Sequence, residues 1–161
     1  MIFVTAAIVL LLAWKYGDWE KWIQYYPTYL YLLVGDLTYN VLFSDHLFWK
    51  YNVSFFNHVS CDLFVAWTIY PATILLFLPN WPDNQFMGFW RIVKWVFFYT
   101  VVEWIFCKVG LLSYHNGWNF TFSIMFCFLM FFMLRLHYTK PLLTWFISLT
   151  LFIASQVIWL Y

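Results

Sequence analysis

Six apolar runs dominate this chain: residues 2–16, 27–43, 55–78, 86–112, 118–136 and 142–161. A helix needs roughly 20 apolar residues to cross a hydrocarbon core, with about 17 to 25 as the working range. The last four runs meet that length, and the second meets it at the short end. At about 1.5 Å per residue the first reaches only ~22 Å, so it must tilt, borrow from its flanks or insert incompletely. The expected architecture is all-α: a polytopic transmembrane bundle of six helices, or five if the first run does not insert. No Gly/Ser linker, low-complexity tract or internal repeat divides it, so residues 1–161 are expected to form one integral membrane domain.

Composition supports that class and excludes others. Only 9% of the residues are charged, against about a quarter in soluble domains, too few to dress a water-facing surface. The lipid bilayer is therefore the expected surrounding. A net charge of +1 with no Lys/Arg cluster offers nucleic acid no footprint. Cys61, Cys107 and Cys127 all fall in apolar runs with no CxxC pair, and read as packing residues. The opening MIFVTAAIVLLL has no positive segment before it and no small-residue cleavage site after it, which reads as a signal-anchor-like helix.

The connections carry interface chemistry. Residues 15–26 (KYGDWEKWIQYY) and 45–52 (DHLFWKYN) mix Trp, Tyr and charges, a composition suited to headgroup depth. Pro27 and Pro141 are expected at helix starts, Asn116-Gly117 in a turn, and Asn119 as a helix cap. Lys15, Lys21, Arg91, Lys94, Arg135 and Lys140 border the odd-numbered loops, whereas only Lys50 and Lys108 border the even ones. That bias predicts odd loops in the cytoplasm. Both termini then lie outside if all six runs span.

Three acids interrupt the apolar runs: Asp36, Asp62 and Glu103. Ionisable groups in hydrocarbon are costly and usually mark a functional site. Asp36 precedes the end of the second run by seven residues, and Asp62 follows the start of the third by seven, so both lie about 10 Å deep in the outer leaflet. Glu103, nine residues before the end of the fourth, lies about 13 Å from the same face. Asn40 shares a helix face with Asp36, and His58 shares one with Asp62. His115, Asn116 and Asn119 come from the same outer side.

These residues predict an acidic pocket. Asp36, Asn40, His115, Asn116 and Asn119 would contact a small polar ligand or cation, and His58, Asp62 and Glu103 would hold a divalent metal ion. Three functions stay open. The pocket binds or translocates a cation or small polar ligand; or its metal serves a membrane-embedded hydrolase or transferase acting on lipid; or the polar groups lock helices together or meet a partner subunit. No HExxH, GxSxG or glycine-rich phosphate loop is present, so no catalytic residue is assigned. Arg135 and His137 read as inner-face anchors meeting lipid phosphate. Asn52-Val-Ser54 and Asn119-Phe-Thr121 match the short glycosylation sequon.

A series of short motifs runs the length of the chain: WKYGDW at 14–19, YYPT at 25–28, GDL at 35–37 with Tyr39-Asn40, LFLP at 76–79, YHNGWN at 114–119 and LRLHY at 134–138. In that order they resemble a small multispan membrane protein family of spore-forming Gram-positive bacteria, with YHNGWN and LRLHY the most specific parts. The resemblance covers nearly the whole chain. It implies a multi-pass bacterial inner-membrane protein and supplies no catalytic residues.

Overall fold

The structure, a computed structural model, describes the backbone of residues 1–159 and the side chains of residues 1–155. In chain order it contains α1 (Ile2–Tyr16), a short 3-10 turn (Trp19–Lys21), α2 (Trp22–Leu42), β1 (Trp49–Tyr51), α3 (His58–Phe77), α4 (Gln85–Lys108), β2 (Leu112–Tyr114), α5 (Phe120–Thr139) and α6 (Pro141–Trp159). The six helices match the six apolar runs in number and order. The expected end of the sixth run, 160–161, lies outside the described residues.

Local chemistry explains where the helices start and stop. Asn57, Asn84 and Asn119 cap α3, α4 and α5, each side-chain oxygen accepting from a backbone N–H of the first turn at 2.8–3.2 Å. Pro141 opens α6 as expected, and Asn116-Gly117 turns with both residues at positive φ. Two boundaries need correction. The fourth run was expected to stay helical to residue 112, but α4 stops at Lys108. Gly110 takes a left-handed φ of 77, so its N–H reaches Cys107 O and that of Leu111 reaches Phe106 O, the paired bonds of a glycine-terminated helix. Pro27 was expected at a helix start, yet α2 begins at Trp22 and Pro27 lies inside it. Trp22, Tyr25 and Tyr29 join the core cluster, and their packing extends the helix upstream despite one lost backbone bond.

The structure adds a two-stranded antiparallel sheet to an otherwise helical chain. Trp49 pairs with Tyr114, Lys50 with Ser113 and Tyr51 with Leu112. Asn52 N–H to Leu111 O and His115 N–H to Phe48 O lengthen the ladder at both ends. The loop after α2 and the loop after α4 are thereby tied together. A separate cluster forms at the other end. Tyr25 donates to Asp18 at 2.9 Å and packs against Tyr138; Arg135 stacks on Trp81 with its guanidinium 4.3 Å from the ring centre. Arg91 donates to Leu76 O, Pro79 O and Asn80 O, closing the C-terminal end of α3. His137 corrects the reading of a lipid-facing anchor. It is 4% exposed, stacked on Tyr31 and bonded to Thr28 at 3.1 Å, so it pins α5 to α2.

Helix packing centres on α3 and α5. α1 and α2 both pack on α3, α4 and α6 pack on α5, and α2 also reaches α5. α3 and α4 touch through the Thr73–Tyr99 bond, Arg91 on Leu76 O and the Phe77–Trp95 ring contact, and Phe77, Ile74, Leu134 and Phe131 are fully buried between α3 and α5. By length and composition, α3 and α5 are each able to cross a membrane. α1 and the segment Trp19–Leu42 pass that test only together, at a mutual bend of 91°. Among the described residues, two helices, or three spans counting the bent pair, thus meet the criterion where six were expected; the described apolar length of α6, Pro141–Ser155, is shorter than a span. For α2 and α4 the reason lies in the side chains: α2 carries five tyrosines, and α4 carries Arg91, Lys94, Glu103 and Lys108. Among the described residues, 44 large hydrophobic side chains are exposed against 21 buried hydrophobic residues.

The α1–α2 corner depends on Gly17. Its N–H bonds Ala13 O at 2.8 Å, and Trp19 Nε1 donates to the same oxygen. A Cβ at Gly17 would stand 2.3 Å from Ala13 O, a backbone atom that cannot move aside alone. Gly17→Ala is expected to cost about 1–3 kcal/mol, read as a lowered thermal midpoint in detergent. An unchanged midpoint would show that the corner is not held this closely.

Candidate functional site

The interface of α2 and α3 brings together two of the three predicted acids. Asp36 and Asn40 stand one turn apart on α2; His58, Asp62 and Tyr70 follow a four-residue stripe on α3. Asp36 Oδ1 accepts from the Tyr70 hydroxyl at 2.8 Å. The Asn40 amide nitrogen donates to Asp62 Oδ2 and, at 3.1 Å, to the backbone oxygen of Asp36. The two carboxyl groups are electrostatic neighbours across the interface. Asp62 is 4% exposed. No Lys or Arg forms an ion pair with either acid among the described residues.

Several polar atoms at this site are buried without a hydrogen-bond partner. They are Asp36 Oδ2, Asn40 Oδ1 and His58 Nε2. Because His58 Nδ1 accepts from the Tyr51 N–H at 3.3 Å, a neutral His58 carries its hydrogen on Nε2. A buried polar group without a partner costs roughly 1–3 kcal/mol, so such atoms point to an occupant. Two of the three are oxygen acceptors. An open hollow of about 400 Å³, lined by residues 50–54 and 56–58, leads from the loop surface to His58.

Glu103 stands apart from the acid pair. It projects from α4, accepts from the Tyr114 hydroxyl at 2.7 Å and lines a cavity that Val65, Ile69, Tyr70 and Thr73 of α3 also line. The expected metal set of His58, Asp62 and Glu103 is therefore corrected. No three His, Cys, Asp or Glu side chains among the described residues form a group able to hold a metal ion. The Tyr51 phenol lies close enough to Asp62, Asp36 and Glu103 to feel all three. Burial pushes that phenol up, with the three negative charges adding to the effect. Tyr114 is pushed up in the same way, first by burial and then by its bonds to Cys107 and Glu103. Both phenols remain hydrogen-bond donors.

His115, Asn116 and Asn119 do not join the acids. All three are exposed. His115 bonds Ser113 at 2.9 Å, Asn116 donates to Leu47 O, and Asn119 caps α5. These contacts shape the turn and the sheet. Conversely, Tyr51 and Tyr70 were absent from the predicted pocket. Tyr70 shares its helical stripe with His58 and Asp62, a signal present in the sequence; Tyr51 arrives on a strand that no periodicity announces.

The cavity beside Glu103 measures about 540 Å³ and is walled by α1, α3, α4, α5 and the sheet. Ten of its 23 lining residues are aromatic, among them Trp49, Trp95 and Trp118. Tyr51 and Tyr70 form part of this wall too, and Tyr70 links it to Asp36.

Comparison with known proteins finds no matching family model, curated protein or solved structure.

Proposed function

We propose that this chain is a multispan membrane protein that binds a small hard metal cation between Asp36 and Asp62. The membrane assignment, with odd loops on the cytoplasmic side, draws on three observations. The exposed surface is apolar beyond what water tolerates. α3 and α5 have spanning length and composition. The cation-bearing loops cluster around Trp81 and Tyr138, away from the sheet that joins the even loops. The motif order adds the likeness to small multispan bacterial inner-membrane proteins.

One observation carries the binding reading: two carboxyl groups are neighbours, with buried, unpartnered oxygens on Asp36 and Asn40. Carboxylate and amide oxygens are the donors that hard cations take. Neighbouring carboxylates repel unless positive charge lies between them.

A structural reading has its own support, because each acid has a neutral partner: Tyr70, Asn40 and Tyr114. Those bonds tie α2 to α3 and α4 to the sheet. The two readings separate in the thermal midpoint of the purified protein titrated with sodium, magnesium or calcium chloride against choline chloride. Cation binding raises the midpoint saturably with one of the metals. The near-isosteric Asp36→Asn/Asp62→Asn double variant loses the response. A wild-type midpoint indifferent to all three metals overturns the binding reading and leaves the pair as a lock between helices.

A further inference from the structure

We infer that the 540 Å³ cavity is a binding site for a lipophilic organic cation, with Glu103 as its counter-ion. This site is distinct from the Asp36–Asp62 pair and does not rest on it. Its volume falls within the range of about 300–1,000 Å³ that holds small-molecule ligands. The walls are aromatic and aliphatic, and the hydroxyl groups of Tyr70, Thr73, Tyr99 and Ser123 are engaged locally. Thr73 bonds Tyr99 at 2.6 Å, Tyr70 donates to Asp36, and Ser123 accepts from Trp118. A strongly hydrated ion would find no cage of oxygens there.

Glu103 is the one ionisable acid or base among the lining residues besides tyrosines and Cys127. Tyr114 holds one of its oxygens, and no Lys or Arg forms an ion pair with it among the described residues. A carboxylate beside an apolar chamber favours an occupant with positive charge. Aromatic faces favour the same occupant through their negative π surfaces, and Trp is the strongest of them. A neutral chain would leave the carboxylate without its counter-charge, and an anion would be repelled. Charge and wall chemistry together select a hydrophobic body carrying a diffuse positive charge, such as a quaternary ammonium or phosphonium.

The test uses the purified full-length protein in detergent with tetraphenylphosphonium as probe and tetraphenylborate, its anionic counterpart of the same shape, as control. Binding is followed by equilibrium dialysis and by quenching of tryptophan fluorescence. The expected result is saturable one-to-one binding of the phosphonium and weaker binding of the borate. Glu103→Gln should weaken phosphonium binding by at least roughly tenfold. Val102→Trp, which fills the cavity from α4, should abolish it and serves if the first variant does not fold. Asp36→Asn/Asp62→Asn should leave it intact, so failure of the metal reading is distinguishable from failure of this one. Absence of saturable binding, equal affinity for the borate, or full affinity in folded Glu103→Gln or Val102→Trp protein would each overturn the assignment.

Discussion

Replacing Phe131 with alanine is expected to lower stability by about 3–5 kcal/mol, the range for an aromatic side chain lost from a packed interior. Phe131 is 0% exposed. Its ring centre lies 5.0 Å from Phe77, 5.0 Å from Tyr99 and 5.8 Å from Trp95. It therefore joins α5 to both α3 and α4. A void there forfeits packing contacts that nothing replaces. The neighbouring Phe132 is 49% exposed, so Phe132→Ala should change stability by no more than about 0.5 kcal/mol. Unfolding the two variants in mixed micelles compares them directly. Equal losses would mean that the apolar residues of α5 are not divided into a packed face and an outer face.

The second large effect is expected at Asn40. Its amide donates to Asp62, and the two acids at this site otherwise have only Tyr70 and each other. Asn40→Leu removes the donor and leaves a buried carboxyl group neighbouring a second one, at an expected cost of about 2–4 kcal/mol. Adding Asp62→Leu removes the group that was left without its partner, so the double variant should recover most of the loss. This recovery is the informative part. If Asn40→Leu and Asp62→Leu are simply additive, the amide and the carboxyl are not coupled, and the α2–α3 junction is held by apolar packing alone.

The two halves of the candidate site differ in how far they could be read from the chain. Asp36 with Asn40 and His58 with Asp62 are one-turn pairs, and helical periodicity placed each pair on a common face. Equal depth from the helix ends then brought Asp36 and Asp62 to the same level, and the structure makes them neighbours. Depth alone misled for Glu103. A residue's height on a helix says nothing about the direction in which it points around the axis. Glu103 turns toward the cavity and Tyr114, while Asp62 turns toward α2. His115, Asn116 and Asn119 misled for another reason: their polarity serves turn and cap geometry, which in a loop is indistinguishable from ligand chemistry by residue type.

The chain by itself determined the helical class, the number and order of helices, the cap at Asn119, the Asn116-Gly117 turn and the start of α6 at Pro141. All of these follow from bonds and propensities within a few residues. Tertiary structure alone decided that Trp49–Tyr51 pairs with Leu112–Tyr114, that Tyr70 joins the acid pair to the cavity wall, that His137 is buried against Thr28, and that a cavity remains between α1, α3, α4, α5 and the sheet. Each depends on the rotation of one helix against another. That rotation is fixed by side chains far apart in sequence, so no local pattern encodes it.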